Sequence, residues 1–124
     1  MAFTLAKKTD SFYFPIQMPV VSESGTVQSY RFEFKFKRVS RSKLNALQKA
    51  QEAQNDYEVD TLERDVDWIM EVTDGWRNIV DETGQEVPFT RDTLRALLDN
   101  VPNAAGVIVK AFFDATLGGG KRGN

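Results

Sequence analysis

The sequence contains no cysteine and no histidine. Without cysteine the chain has no disulfide, no thiolate nucleophile and no cysteine-based metal site. Without histidine it lacks the commonest general base and the commonest protein ligand of transition metals. These two absences remove many familiar classes of enzyme and metalloprotein, and the lack of cysteine fits a reducing compartment.

Long apolar runs and a dominant charge are also missing. No segment approaches the roughly 18 apolar residues of a membrane span. The first eleven residues, MAFTLAKKTDS, have no apolar run long enough for a signal peptide. The formal net charge is −2, so no overall field draws the chain to nucleic acid or to an anionic membrane. We expect a soluble cytoplasmic protein with no membrane partner.

Phosphate-binding and nucleophile motifs are absent as well. The C-terminal GGGKRGN neither follows a strand pattern nor opens a helix, so it fails the context of a phosphate-binding loop. The sequence has no Gly-x-Ser-x-Gly and no histidine for a catalytic triad. We therefore predict no catalytic residue, no cofactor and no metal, and we expect that the protein is not an enzyme.

Two segments alternate between apolar and polar side chains, as strands with one buried face do. Apolar side chains occupy the even positions of residues 11–21, and aromatic rings occupy the even positions of residues 30–36. The intervening SESGT, residues 22–26, has the composition of a turn. The pattern predicts a β-hairpin over about 11–38 with a loop of five residues. Pro15 and Pro19 indicate that its first strand lies at a sheet edge.

The stretch YRFEFKFKR, residues 30–38, poses a choice between a nucleic-acid surface and an amphipathic strand. Proteins that stack bases on a sheet expose their aromatic rings beside cations on one face. Here the alternation sends rings and charges to opposite faces, which favours a buried aromatic face. We therefore do not expect a nucleic-acid partner, although a phosphate contact through the basic run Arg38, Arg41 and Lys43 stays open.

Apolar residues at helical spacing predict four helices, over about 40–54, 57–72, 91–99 and 103–117. Ser40 or Ser42 can cap the first helix and Thr90 the third. Because Thr93 replaces the usual Glu, we expect only half a capping box there. The fold class is α+β, with the hairpin packed on a bundle of about four helices. One domain over 1–117 and a flexible glycine-rich tail over 118–124 complete the prediction.

The predicted second helix carries a row of acidic residues with one arginine, Arg64. The acids are Glu58, Asp60, Glu63, Asp65, Asp67 and Glu71. Carboxylate metal sites need ligands that converge from several elements, and a two-carboxylate hydrolase needs one acid in an apolar pocket. One solvated helix face supplies neither arrangement. We expect instead an attraction between this row and the basic region 31–43, within one chain or between subunits.

Residues 73–89 are predicted to connect the second and third helices as an ordered loop or a short hairpin. Asp81-Glu82-Thr83-Gly84 is a turn signal within this connector, and Trp76 and Phe89 should fix it to the core. The last helix has a wide apolar surface that includes the adjacent Phe112 and Phe113. Two adjacent rings point in different directions on a helix, so one of them is a candidate for a partner contact, although a wide core-facing stripe is the more common explanation.

The second half of the chain resembles the tail assembly chaperones of long-tailed, non-contractile bacteriophages. The resemblance rests on the run WRNIVDETGQEVPFT, residues 76–90, followed by Leu94, Leu97-Leu98, Pro102 and a helix rich in Ala and Phe. In that family a Trp precedes an acidic, glycine-containing turn, and a Pro-Phe-Thr-like cap then opens a helix. The pattern covers roughly residues 66–124. In the same family the reading frame often slips near the end of the gene, and Gly120-Lys121 is compatible with such a site.

The resemblance implies a non-catalytic binding protein in the cytoplasm of the bacterial host. Such chaperones coat the long, helical tape measure protein, help to recruit tail tube subunits, associate with one another and leave before the virion matures. The candidate residues for partner binding or self-association are Trp76, Phe89, Ile108, Phe112, Phe113 and Leu117. Two alternatives remain open: a permanent structural subunit of the virion or tail, and a small nucleic-acid-binding protein that uses the 30–38 region.

Overall fold

The computed structural model describes residues 1–3, 5, 9–52 and 61–118. Seven elements follow one another along the chain: β1 (Ser11–Val21), β2 (Val27–Lys37), α1 (Arg41–Glu52), α2 (Thr61–Val72), β3 (Thr73–Arg77), α3 (Arg91–Asn100) and α4 (Ala104–Thr116). The predicted α+β class, with an N-terminal hairpin and four helices, is confirmed. The division into one domain and a flexible tail stays a prediction, because residues 119–124 lie outside the described part.

The hairpin forms as predicted, with β1 and β2 antiparallel and Phe14 opposite Phe34. The loop between the strands has the five predicted residues, 22–26. Gly25 within it has a φ of 84°, a left-handed conformation that glycine adopts without a steric penalty. The strand order β1-β2-β3 puts β1 at an edge, which agrees with the positions of Pro15 and Pro19.

The sheet has a third strand that the sequence analysis assigned to the connector. In β3, Trp76 pairs with Phe34 and Arg77 pairs with Glu33, antiparallel to β2. This strand has only five residues and includes Asp74 and Gly75, two residue types that are depleted in strands. Its formation depends on pairing with β2, in which the partner of Trp76 is Phe34, far away in the sequence, so local propensity does not reveal it.

All the buried side chains of the sheet project from one face, and the helices cover that face. Phe32, Phe34 and Phe36 of β2 are buried there, so the predicted core face of the YRFEFKFKR stretch is confirmed. Tyr30 lies at the next even position but remains 53% exposed. The Phe36 ring packs edge-on against the Phe112 ring of α4, with centroids 5.5 Å apart. The buried apolar residues form one core cluster.

Local hydrogen bonds set the helix starts. Ser40 caps α1 by accepting from the Lys43 amide at 3.1 Å. At α3, Thr90 Oγ1 accepts from the Thr93 amide at 3.1 Å, and Thr93 Oγ1 accepts from the Thr90 amide at 2.9 Å. The capping box is therefore complete, and the prediction of half a box was wrong, because a threonine hydroxyl reaches the backbone as a Glu carboxylate would. The predicted start of the second helix, at 57–60, lies outside the described residues.

Candidate partner-binding surface

The six residues predicted to contact a partner fall into two groups in the structure. Trp76 in β3 and Phe89 at the end of the connector pack against each other, with ring centroids 5.1 Å apart. Trp76 Nε1 donates a hydrogen bond of 2.7 Å to the Val87 carbonyl, and its ring packs against Phe34 at 5.6 Å. These contacts attach the connector to the sheet, as the sequence analysis expected of Trp76 and Phe89.

The other four residues lie on α4 or directly after it, at very different depths. Ile108 and Phe112 are fully buried in the core, so neither presents a surface to a partner in this conformation. Phe113 is half-buried, and its ring packs against Trp68 of α2 at 5.7 Å. Leu117 is 60% exposed and follows the last residue of α4. Of the α4 group, Leu117 offers the largest accessible apolar surface.

Leu117 lines a groove of about 450 Å³ between α1 and the end of α4. Val39 and Leu44 give the groove further apolar surface, and its polar lining residues are Ser40, Arg41, Asn45, Gln48 and Thr116. Thr116 Oγ1 is buried and makes no hydrogen bond to any residue that the structure describes. Buried hydroxyls nearly always have a hydrogen-bond partner, so Thr116 Oγ1 is an exception among the described residues.

A second, smaller groove of about 290 Å³ lies between the β1 edge and α4. Phe14, Ile16 and Val107 line it together with Lys110 and Asp114, which form an ion pair of 2.9 Å across one helical turn. Further along β1, the Pro19 carbonyl accepts a hydrogen bond of 3.0 Å from Asn103 Nδ2. Proline and these side chains leave the edge poorly suited to pairing with another strand.

The acidic row on α2 pairs mainly with α3, which the sequence analysis did not anticipate. Arg91 contacts both Glu63 at 3.0 Å and Asp67 at 2.7 Å, and Arg95 contacts Glu63. The expected attraction to the basic region 31–43 is present within the chain at one point, the Lys43–Glu71 ion pair. Glu58 and Asp60 lie outside the described residues. Among the described residues, no group of three or more acidic side chains is placed to hold a metal ion.

The pKa values of two acidic groups on α2 are shifted in opposite directions, one by the ion pairs with α3 and the other by burial. Hydrogen bonds from Arg95 and Arg91 lower the pKa of Glu63 below its ordinary value of 4.5. Burial raises the pKa of Asp65, a shift that the charge of Arg64 partly offsets. The ionised form of Glu63 therefore stabilises the folded state, whereas the ionised form of Asp65 destabilises it.

A pH titration of stability should therefore depend on Glu63. Because its folded-state pKa is lowered, its contribution is present above about pH 4.5 and disappears as the pH falls through the folded-state value. We expect Glu63→Gln to be less stable than the parent at pH 7, with the difference shrinking below pH 4. Chemical denaturation across this range measures the difference.

Glu82→Gln is the matched control for that titration. Glu82 is an exposed carboxylate that forms no ion pair with the described part of the chain, so its neutralisation should leave stability nearly unchanged at every pH. If the difference in unfolding free energy between Glu63→Gln and the parent stays constant down to pH 3, the ion pairs with α3 do not contribute through the charge of Glu63.

The outer face of the sheet contains contacts that sequence reasoning missed. The Arg77 guanidinium stacks over the Tyr13 ring, 3.7 Å from its centroid, and Arg77 Nε donates to Glu33 at 2.7 Å. The alternation in 27–38 placed Glu33 and its basic neighbours on this face correctly. Sequence reasoning missed these contacts because it did not predict β3. The only local indication of this strand is the apolar Trp76 next to the charged Arg77, as in a strand with one buried face.

Comparison with known proteins identifies one family. The family model described as phage tail assembly chaperone matches the chain over residues 1–124. No curated protein and no solved structure shows a significant match. Within the described residues, no helix has the length and apolar character needed to cross a membrane.

Proposed function

The chain belongs to the phage tail assembly chaperone family, and from this we propose that it binds the tape measure protein while the tail is built. In this proposal it also helps to recruit tail tube subunits and is released before the virion is complete. A tail assembly chaperone acts in the host during phage assembly. The role is one of binding, and we propose that it involves no catalysis, cofactor or metal.

The observation that carries the proposal is the family match over the whole chain rather than over one segment. The structure supports a binding role through the groove between α1 and α4, where Leu117 is exposed beside Val39 and Leu44. An apolar side chain projecting from a partner helix is the kind of anchor that such a groove accommodates.

Single-site affinity need not be high for such a chaperone. A tape measure protein, as the family resemblance describes it, is long and helical, so it can present many similar apolar positions to many chaperone copies. When bound copies also touch one another, each contact raises the effective concentration for the next. Weak contacts through a groove of about 450 Å³ would then suffice for a coat that still comes off as tube subunits polymerise.

Co-expression with the long helical protein encoded downstream tests the proposal. The native DNA, with any frameshift site at Gly120-Lys121 intact, should be used so that a longer product is also made. We expect the two proteins to co-purify in a complex with several chaperone copies, and the soluble yield of the partner to rise. A partner that stays insoluble while the chaperone is soluble alone would overturn the proposed function.

Leu117→Ser tests whether the groove is the contact surface. Its matched control is Val80→Ser, since Val80 is similarly exposed, 52% against 60%, but lies on the connector. We expect Leu117→Ser to reduce the co-purified partner at least about fivefold, since a lost apolar anchor costs roughly 1 kcal/mol at each repeated contact. Val80→Ser should leave the yield unchanged. If both variants co-purify equal amounts of partner, the contact surface is not this groove. The family assignment would be unaffected.

The permanent-subunit alternative makes the opposite prediction for purified virions. A transient chaperone should be absent from mass spectra of mature particles, whereas a structural subunit should appear there in stoichiometric amount. No described feature of the fold favours the structural alternative.

A further inference from the structure

Helix α1 is attached to the fold by a narrow stripe. Of its twelve residues, only Leu44 and Leu47 are buried, whereas α4 buries five of thirteen, including the fully buried Phe112. The other side chains of α1 are exposed, apart from the half-buried Gln51. A helix of this length is only marginally stable in water when it stands alone. The position and the stability of α1 therefore depend on a small contact area.

Two polar contacts within the described residues connect α1 to α2. Trp68 Nε1 of α2 donates a hydrogen bond of 3.3 Å to the Leu47 carbonyl. Lys43 forms an ion pair with Glu71 of α2, and these two side chains are 43% and 51% exposed. Ion pairs between exposed side chains contribute little to stability. Trp68 and Glu71 therefore mark the surface on which α1 lies, and neither contact holds it there strongly.

The docked position of α1 also leaves buried polar atoms without partners. Gln51 Oε1 on α1 and Thr116 Oγ1 in the groove beside α1 are buried and make no hydrogen bond to any residue that the structure describes. A polar atom that loses its bonds to water without gaining another disfavours the arrangement that buries it. These two atoms further weaken the hold of α1 on the fold.

The surface beneath α1 is apolar and continues into the groove between α1 and α4. Trp68, which contacts α1, packs its ring against Phe113 of α4 with centroids 5.7 Å apart. Leu44 and Leu117 line the neighbouring groove. If α1 moved away, the surface of Trp68 and the groove wall at Leu117 would form one longer apolar groove, with the Glu71 carboxylate at its edge.

We propose that α1 holds the place of a partner helix. In this proposal α1 moves away from α2 and α4, and an amphipathic helix of the partner enters the widened groove instead. The contacts of α1 specify the chemistry of that helix: two apolar residues three positions apart, as Leu44 and Leu47 are, and a Lys or Arg that pairs with Glu71. The identity of this partner as the tape measure protein rests on the proposed function, whereas the movement of α1 does not.

The alternative is a partner helix that adds beside a fixed α1. In that arrangement Trp68 stays buried and keeps its hydrogen bond to the Leu47 carbonyl, whereas in the proposed one it exchanges α1 for the partner helix. The Trp68 indole N–H therefore distinguishes the two arrangements. The chain has two tryptophans, and Trp76 Nε1 donates to Val87 in the connector, so the Trp76 indole signal serves as an internal reference.

Native-state hydrogen exchange on the full chain tests the movement of α1. We expect the amides of residues 45–50 in α1 to exchange at least about tenfold faster than those of residues 108–113 in α4, because α1 opens as a separate unit. Lys43→Glu should accelerate the exchange of α1 at least about threefold further, since an attractive ion pair becomes a repulsive one. A chain with both Lys43→Glu and Glu71→Lys should return to the parental rate, because the ion pair is restored with its charges reversed.

Lys49→Glu is the matched control on the same helix. Lys49 is exposed, forms no ion pair within the described part of the chain, and lies in the last turn of α1, where a cation is favourable. The control therefore shows whether any charge reversal on α1 has the same effect, and we expect it to accelerate exchange less than Lys43→Glu does. Circular dichroism melts show that each variant folds. If Lys43→Glu does not fold, Glu71→Gln, which removes the same ion pair, is judged by the same criteria.

A peptide with the sequence of residues 40–52, SRSKLNALQKAQE, tests the groove directly. It is added to the isotope-labelled full chain up to about 1 mM, where contacts with millimolar dissociation constants are populated. We expect the NMR signal of the Trp68 indole to shift and that of Trp76 to stay. Binding should be at least about threefold tighter to the Lys43→Glu chain, which keeps Glu71 while its own α1 is held less firmly. A peptide with Leu44→Ser and Leu47→Ser should shift neither signal.

Three results would overturn the proposal. One is protection of the α1 amides equal to that of the α4 amides, which would show that α1 does not open separately. Another is equal acceleration of exchange by Lys43→Glu and Lys49→Glu. The third is a peptide that leaves the Trp68 signal unchanged in both the parent and the Lys43→Glu chain. All these measurements use the chain without any tail protein, so failure to co-purify with the tape measure protein would overturn the proposed function and leave the movement of α1 standing.

Discussion

Phe112→Ala should lower the free energy of unfolding by about 3–5 kcal/mol. The Phe112 side chain is fully buried and packs edge-on against Phe36 at 5.5 Å and Trp68 at 5.6 Å. Alanine would remove the ring from the point where α4 meets the sheet and α2, and close packing against both limits how far the cavity can collapse. Domains of this size have a total stability of about 5–15 kcal/mol, so the variant would be close to unfolding at 37 °C.

Phe113→Ala is the control for this substitution, because it removes the same ring from the adjacent position. Phe113 is only half-buried, although its ring also contacts Trp68. We expect a loss of about 1–2 kcal/mol, from partial burial and the aromatic contacts with Trp68 and Phe112. Urea denaturation monitored by circular dichroism measures both losses. Equal losses would show that the two rings share the core to a similar extent, contrary to their positions in the structure.

The adjacent phenylalanines also show how far α4 could be predicted from the sequence. The apolar spacing identified the helix over 103–117, and the structure has it over Ala104–Thr116. Which ring points inward depends on the rotation of the helix against the sheet and α2. That rotation is fixed by contacts with Phe36 and Trp68, which are far away in the sequence, so periodicity alone could not separate core residues from surface residues.

The hairpin was predictable because its determinants are local. Alternation over 11–21 and 30–36 fixed both strands and their buried faces, and the five turn residues fixed the connection. The prolines on odd positions further identified β1 as an edge strand. By contrast, β3 was missed because its five residues become a strand only when β2 is beside them. Tertiary pairing decides such short segments more than propensity does.

The electrostatic partners of α2 were predicted only in part, because they too depend on which elements pack together. Blocks of opposite charge in the sequence suggested region 31–43 as the partner of the acidic row, and the Lys43–Glu71 pair agrees with this. The main partners are Arg91 and Arg95. Their i, i+4 spacing puts both on one face of α3, a signal that was present in the sequence. Choosing between the two basic groups requires knowing that α2 packs beside α3.

The candidate contact surfaces were partly predictable. Leu117 was chosen from the apolar pattern of the last helix, but its groove also needs Val39 and Leu44, which come from the other half of the chain. On the outer sheet face, the alternation correctly grouped the basic residues of β2. The contact between Tyr13 and Arg77 depends on β3 and so could not be inferred without it.

Trp76→Ala should lower the free energy of unfolding by about 3–5 kcal/mol and should loosen the connector more than the hairpin. The Trp76 ring lies between Phe34 of the sheet and Phe89 of the connector, and its N–H holds the Val87 carbonyl. Phe89 also contacts Phe34, with ring centroids 6.3 Å apart, and Thr93 Oγ1 donates to the Pro88 carbonyl at 2.7 Å. An isolated bridge between Val80 and Glu86 closes the turn of the connector. In the family resemblance a Trp precedes this acidic turn, and the structure gives the physical reason, since the ring anchors the turn to the sheet.

Hydrogen exchange measured with Trp76→Phe as the control separates local loosening from a general loss of stability. The Val87 amide donates to the Ile79 carbonyl at 2.8 Å, so its exchange reports on the connector, and the amides of β2 report on the hairpin. In Trp76→Phe most of the ring packing remains, and we expect a loss of only about 1 kcal/mol from the missing hydrogen bond. In Trp76→Ala, Val87 should lose more protection than the β2 amides do, because the connector opens as a separate unit. Equal loss at both places would mean that the connector and the sheet unfold together, in which case the acidic turn would be as rigid as the core itself.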